Sequence, residues 1–170
     1  MVWWFPGSVD WTVTRRRKVS SLAVLVVVCY AAAAIGGLAT DGSVSGWFQT
    51  LKRPSFQPPD WLFGPVWTVL YGLMAVAAWL VYLKTGRVRS TPMTLFMIQL
   101  VLNVAWSIIF FGLHRPGLAV FDIIALLSAI IATTVAFWRV STTSGVLMLP
   151  YLAWVMFASA LNISLWHLNA

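Results

Sequence analysis

Polar and aromatic side chains recur at helical spacing inside otherwise apolar stretches of this chain. Gln99, Asn103, Trp106 and Ser107 follow an i, i+4, i+7, i+8 pattern and share one stripe. Tyr151, Trp154, Ala158 and Asn162 form a second stripe, Trp67 and Tyr71 stand one turn apart, and Asp122 is followed about two turns deeper by Ser128. A polar side chain in hydrocarbon needs a protein partner, so these stripes mark faces turned toward other helices. Indoles and amides without a nucleophile suit non-covalent holding of a flat, largely apolar ligand, with the amides fixing its orientation. The same residue types also join helices through hydrogen bonds or fill volume, and both uses are open for each residue taken singly. Asp122 stands apart as an ionisable group within the membrane, although it is only about four residues into its span and within reach of water or Arg115.

Conventional catalysts are missing from the sequence. His114 and His167 are the two histidines, so no metal cluster with paired ligand spacing is expected. There is no G-x-S-x-G elbow, phosphate loop or close carboxylate pair. The single Cys29 lies in an apolar stretch, which excludes an intrachain disulfide and reads as an inert buried thiol.

The elements that must position the stripes follow from composition. Hydrophobic residues make up 61%, charged residues 9%, and the mean hydropathy is +0.87, values of a polytopic membrane protein. Five stretches can cross a hydrocarbon core of roughly 30 Å, at about 20 helical residues each: Val19 to Thr40, Gly64 to Lys84, Met93 to Gly112, Gly117 to Trp138 and Val146 to Leu168. The fold class expected is an all-α membrane protein, a five-transmembrane-helix bundle with a long Pro/Trp-rich loop between helices 1 and 2. Residues 1–18 read as a basic, aromatic N-terminal segment and 19–170 as the transmembrane domain. Trp3, Trp4, Phe5 and Trp11 suit a segment lying in the membrane interface.

The net charge of +7 would suggest nucleic acid in a soluble protein, but here the cations sit at span ends, and no nucleic-acid partner is expected. Arg15, Arg16, Arg17 and Lys18 precede the first span, Lys84, Arg87 and Arg89 follow the second, and Arg139 follows the fourth. The positive-inside rule therefore puts the N-terminus in the cytoplasm and the first loop and C-terminus outside. On that topology Trp67, Tyr71, Asn103, Trp106, Asp122, Ala158 and Asn162 fall at one level, in the outer half of the bundle, at about 1.5 Å rise per residue. The expected result is an aromatic-walled cavity roofed by residues 41–63. The stretch from Trp47 to Tyr71 holds four of the eight prolines and reads as a non-helical, stiff cap that runs into a membrane helix. Gly36 and Gly37 are expected to permit close helix contact.

Three motifs carry a resemblance. W-F-x-x-L-K-R-P-x-F-x-P-P-x-W-x-F-x-P-x-W-x-x-L-Y at 47–71, Q-L-x-L-N-x-x-W-S-x-x-F-F at 99–111 and P-Y-x-x-W-x-x-F-A-x-x-L-N at 150–162 resemble the TspO/MBR family of tryptophan-rich sensory and translocator proteins. The resemblance covers residues from about 19 to the C-terminus. It implies a five-helix bundle, often a homodimer, in a bacterial inner membrane, that acts as a receptor, sensor or carrier for porphyrins such as protoporphyrin IX or haem, with no cofactor required. Carried over by motif position, the ligand-binding residues are Phe48, Pro58, Trp67, Asn103, Trp106, Trp154 and Ala158. Phe48 stands where a tyrosine is common, so a hydroxyl contact is lost there. The end of the last span, L-N-I-S-L-W-H-L-N-A, lacks the tyrosine and basic residue of the family's sterol pattern. Two alternatives accompany the binding reading. One is light- and oxygen-dependent porphyrin breakdown using Trp67 and Trp154. The other is a small exporter, in which Asp122 would carry proton coupling alone because the chain has no glutamate.

Overall fold

In the computed structural model, residues 11–170 are described, with side chains from Lys18 onward; the aromatic segment of residues 1–10 and the Trp11 side chain lie outside the described part. The regular elements of the described chain are all helical, without strands. Helices α1 (Trp11–Val44), α3 (Phe63–Thr85), α4 (Thr91–Ser107, continued by a π-helical turn Ile108–Gly112), α5 (Pro116–Val140) and α6 (Thr142–Asn169) are long and apolar enough to span a membrane. A one-turn helix α2 (Trp47–Thr50) and a 3-10 turn (Asp60–Leu62) lie between the first two spans. The expected five-helix membrane architecture is therefore present, and α1 runs unbroken across the boundary expected at residue 18.

Neighbouring helices close a ring in the order α1, α3, α6, α5, α4 and back to α1. Short connections enforce the antiparallel steps. Gly86, at φ 64°, ends α3 in the left-handed conformation that a Cβ disfavours, and its N–H closes on the Tyr82 carbonyl at 2.8 Å. Ser141 alone joins α5 to α6 in extended conformation. That tight corner leaves Gly145 against Trp138, where an added Cβ would come within 2.5 Å of the indole.

Membrane residence explains the surface. Val24, Val27, Ile35 and Leu38 of α1 are exposed, at 51–81%, which is costly in water and neutral against lipid tails. Helix hydroxyls at Thr40, Thr68, Thr85, Ser128, Thr133, Thr134 and Ser159 each donate to the carbonyl four residues back, so they need no partner on another helix. Of the two adjacent glycines only Gly36 is a close-contact site: its missing Cβ leaves room for Ser107 Oγ at 3.1 Å, whereas Gly37 faces open space.

The connection expected to be non-helical from Trp47 does form one helical turn, because Trp47–Thr50 precedes the first proline at 54. Helix α1 also extends through Asp41 to Val44, shortening the loop. From Leu51 the chain turns extended, as the proline spacing requires.

Candidate functional site

At the loop end of the ring the helices part around a cavity of about 290 Å³. Its walls come from α1, α3, α4 with its π turn, and α6; α5 contributes no lining residue. The polar floor is a hydrogen-bond chain. Tyr71 Oη donates to Asn103 Oδ1 at 2.6 Å, Asn103 Nδ2 donates to Tyr151 Oη at 3.0 Å, and Tyr151 Oη donates to Gln99 Oε1 at 2.8 Å. All four residues are buried, with Gln99 and Tyr151 at 0% exposure, so α3, α4 and α6 are locked together by groups that have no solvent alternative. Tyr71 and Asn103 show the upper side of this floor to the cavity.

The walls are aromatic. Trp67 packs against Tyr71 and Tyr151 at ring separations of 5.7 and 6.2 Å. Trp106 stacks on Phe110 at 5.4 Å and 27°, and its Nε1 donates to Asn162 Oδ1 at 2.9 Å, while Asn162 Nδ2 donates to the Pro116 carbonyl at 3.0 Å. Asn162 thus ties α4, α6 and the start of α5 in one relay. Trp154 meets Phe63 edge-on at 5.7 Å. Its buried Nε1 has no hydrogen-bond partner.

The π turn completes the wall on the α4 side. Leu113 N–H bonds to the Ile108 carbonyl at 2.8 Å, five residues back, and the extra residue per turn lets Phe110 and Phe111 both reach the cavity. One helical wall opens outward: Tyr30, Gly37, Gly64 and Thr68 line the cavity yet are exposed on the seam between α1 and α3. Tyr30 Oη bridges that seam to the Thr68 carbonyl at 3.0 Å, and Gly72 makes room for it, with a missing Cβ 3.3 Å from the hydroxyl.

Phe48 and Asp60 are the roof residues that reach the cavity from the inter-helix connection. Phe48, 4% exposed, packs on Phe110 and Phe111 and lies under the Arg53 guanidinium, 5.0 Å from its ring centre. Asp60 accepts hydrogen bonds from Gln49 Nε2 at 2.8 Å and Gln57 Nε2 at 3.3 Å and pairs with Arg53 at 3.5 Å. Two clasps hold the roof down. Asn169 exchanges two hydrogen bonds with the Lys52 backbone, at 2.9 and 3.0 Å, and Trp47 stacks on His114 at 4.4 Å.

Six of the seven sequence-derived ligand residues, Phe48, Trp67, Asn103, Trp106, Trp154 and Ala158, surround this one cavity. Pro58 does not line it; the prolines hold the roof's course while Phe48 and Asp60 face inward. Asp122 was expected at the same level, with Ser128 about two turns deeper on the same inward face, but both sit on α5, behind the wall. Ser128 is exposed and bonds to its own helix, and Asp122 is half-buried with one oxygen unpartnered. Sequence reasoning overlooked the α1 face: Tyr30, Gly36, Gly37 and Thr40 all line the cavity. Tyr30, the one tyrosine in that apolar run, was the available signal.

Comparison with known proteins fits the same picture. Residues 23–167 match the profile of the TspO/MBR family. The tryptophan-rich protein TspO of Chlorobaculum tepidum is 41% identical over 90% of this chain and 98% of its own length. The translocator protein of Homo sapiens is 38% identical, over 79% of this chain and 82% of its own. The tryptophan-rich sensory protein of Cereibacter sphaeroides is 35% identical, over 81% and 87%.

Proposed function

The chain belongs to the TspO/MBR family of membrane sensor and translocator proteins, and from that premise we propose that it is a receptor or carrier for porphyrin-like ligands, held in the cavity under the first connection. One observation carries the reading. Three indoles on three helices, Trp67, Trp106 and Trp154, line a single cavity whose floor is the Tyr71–Asn103 pair. Aromatic faces give a flat macrocycle contact area at little entropic cost, and the floor's polar edge can orient it. With the cytoplasmic N-terminus that the positive-inside rule favours, the cavity opens on the outer half of the membrane. Lipid supplies the surroundings, and a homodimer is compatible with the exposed apolar faces.

Protoporphyrin IX titrated into the protein in lipid nanodiscs should quench tryptophan fluorescence saturably, at about one ligand per chain. A linear, non-saturating decline equal to that of free tryptophan would remove the proposal.

A second reading draws on Trp154, whose indole N–H is buried without a partner, beside the same cavity as Trp67. Indoles next to an excited macrocycle can donate electrons, so light- and oxygen-dependent breakdown of the bound porphyrin is the alternative function. Illumination in air should then bleach the porphyrin band in the unmodified protein and several-fold more slowly in the Trp67→Phe, Trp154→Phe double variant. Equal bleaching in both would leave binding alone.

A further inference from the structure

The cavity's charge balance says which part of a ligand it takes. Asp60 is the one ionisable acid or base with a charge at neutral pH among the described lining residues; no lysine or arginine lines the space. Its charge is offset within the roof by Arg53, which lies 3.5 Å from Asp60 Oδ2, donates to Gln49 and covers the outer face of the Phe48 ring. Of the other acidic and basic side chains at this end, Asp41, Lys52 and Arg115 are exposed and Asp122 is half-buried on α5 behind the wall; none of the four lines the cavity. The walls otherwise offer indole, phenol, amide and hydroxyl groups. A carboxylate moved into this space would leave water without gaining a free counter-cation, and it would approach Asp60.

Resting on the porphyrin reading, we infer that the cavity selects against anionic groups. It admits the uncharged macrocycle and keeps ionised carboxylates outside, and Asp60 paired with Arg53 sets this preference. A neutral ester of a tetrapyrrole is therefore a better ligand than the corresponding diacid. The pair is also a tunable element. Neutralising Asp60 leaves the Arg53 cation uncompensated above the cavity and favours an anion, while neutralising Arg53 leaves the Asp60 anion and does the reverse.

Protoporphyrin IX and its dimethyl ester serve as the probes, each titrated by tryptophan quenching into the full chain in zwitterionic nanodiscs and corrected with empty nanodiscs. In the unmodified protein the ester should bind at least as tightly as the diacid. Asp60→Asn should tighten the diacid roughly tenfold and Arg53→Gln should weaken it roughly tenfold, the size expected of one uncompensated charge in a partly dehydrated site, with the ester changing less than about twofold in either. A structural defect of the roof would instead weaken both ligands in both variants, and that result overturns the inference, as does a diacid preference in the unmodified protein. Saturable binding that neither variant alters also overturns it. If neither probe quenches saturably in the unmodified protein, the porphyrin reading fails first and takes this one with it.

Discussion

Replacing Ala158 with phenylalanine should abolish ligand binding while leaving the protein folded. Ala158 is buried at 8% exposure and lines the cavity between Trp154, one turn before it, and Leu161 and Asn162. A phenyl ring at that position projects into existing empty space, so overpacking should cost no more than about 1 kcal/mol of stability, below the usual range for a filled core. The ring would occupy the volume that the macrocycle needs. Protoporphyrin affinity should fall by at least about 2 kcal/mol, or roughly thirtyfold. Thermal unfolding in detergent and quenching in nanodiscs measure the two quantities separately. Retained affinity with unchanged stability would mean that ligand binds elsewhere.

Asn103→Leu should produce the opposite pattern, a loss of stability first. The amide links two phenols: it accepts from Tyr71 and donates to Tyr151. Leucine is close in size but leaves the Tyr71 hydroxyl without its acceptor and Tyr151 without its donor, at the junction of α3, α4 and α6. Interhelical hydrogen bonds in membranes average about 0.6 kcal/mol each, whereas a buried donor left unsatisfied costs about 1–3 kcal/mol. Because 2% of Asn103 is exposed and Tyr151 is fully buried, the second figure governs, and a total loss of about 2–3 kcal/mol is expected. Asn103→Leu combined with Tyr71→Phe should recover part of it, since the stranded hydroxyl is then removed. Failure of the second substitution to recover any stability would show that the chain is not the unit holding the three helices together.

The contrast between these substitutions reflects what the sequence could and could not disclose. The five spans were legible because hydrocarbon forces long apolar runs, and the Gln99–Asn103 and Tyr151–Trp154 stripes were legible because a polar residue in such a run has to face protein. Trp67, Asn103, Trp106 and Ala158, which share one depth, accordingly line one cavity. Depth alone does not specify rotation about a helix axis. Asp122 has the right depth, but α5 packs between α4 and α6 at the back of the ring, away from the cavity. The α1 wall was hidden for the converse reason: Gly36 and Gly37 contribute to the site by having no side chain, and Tyr30 stands alone with no periodic partner. Pro58 shows a third limit. Proline fixes the course of the connection from 54 to 59, but which residues of that course point inward depends on the clasps at Asn169 and His114, which are distant in sequence.

The decisive measurement is a structure of the protein with protoporphyrin IX bound. The macrocycle should lie under Phe48, in contact with Trp67, Trp106 and Trp154, above the Tyr71–Asn103 pair, with its carboxylates outside the cavity. A macrocycle found on the lipid-facing exterior of the helices, with the cavity empty, would contradict it.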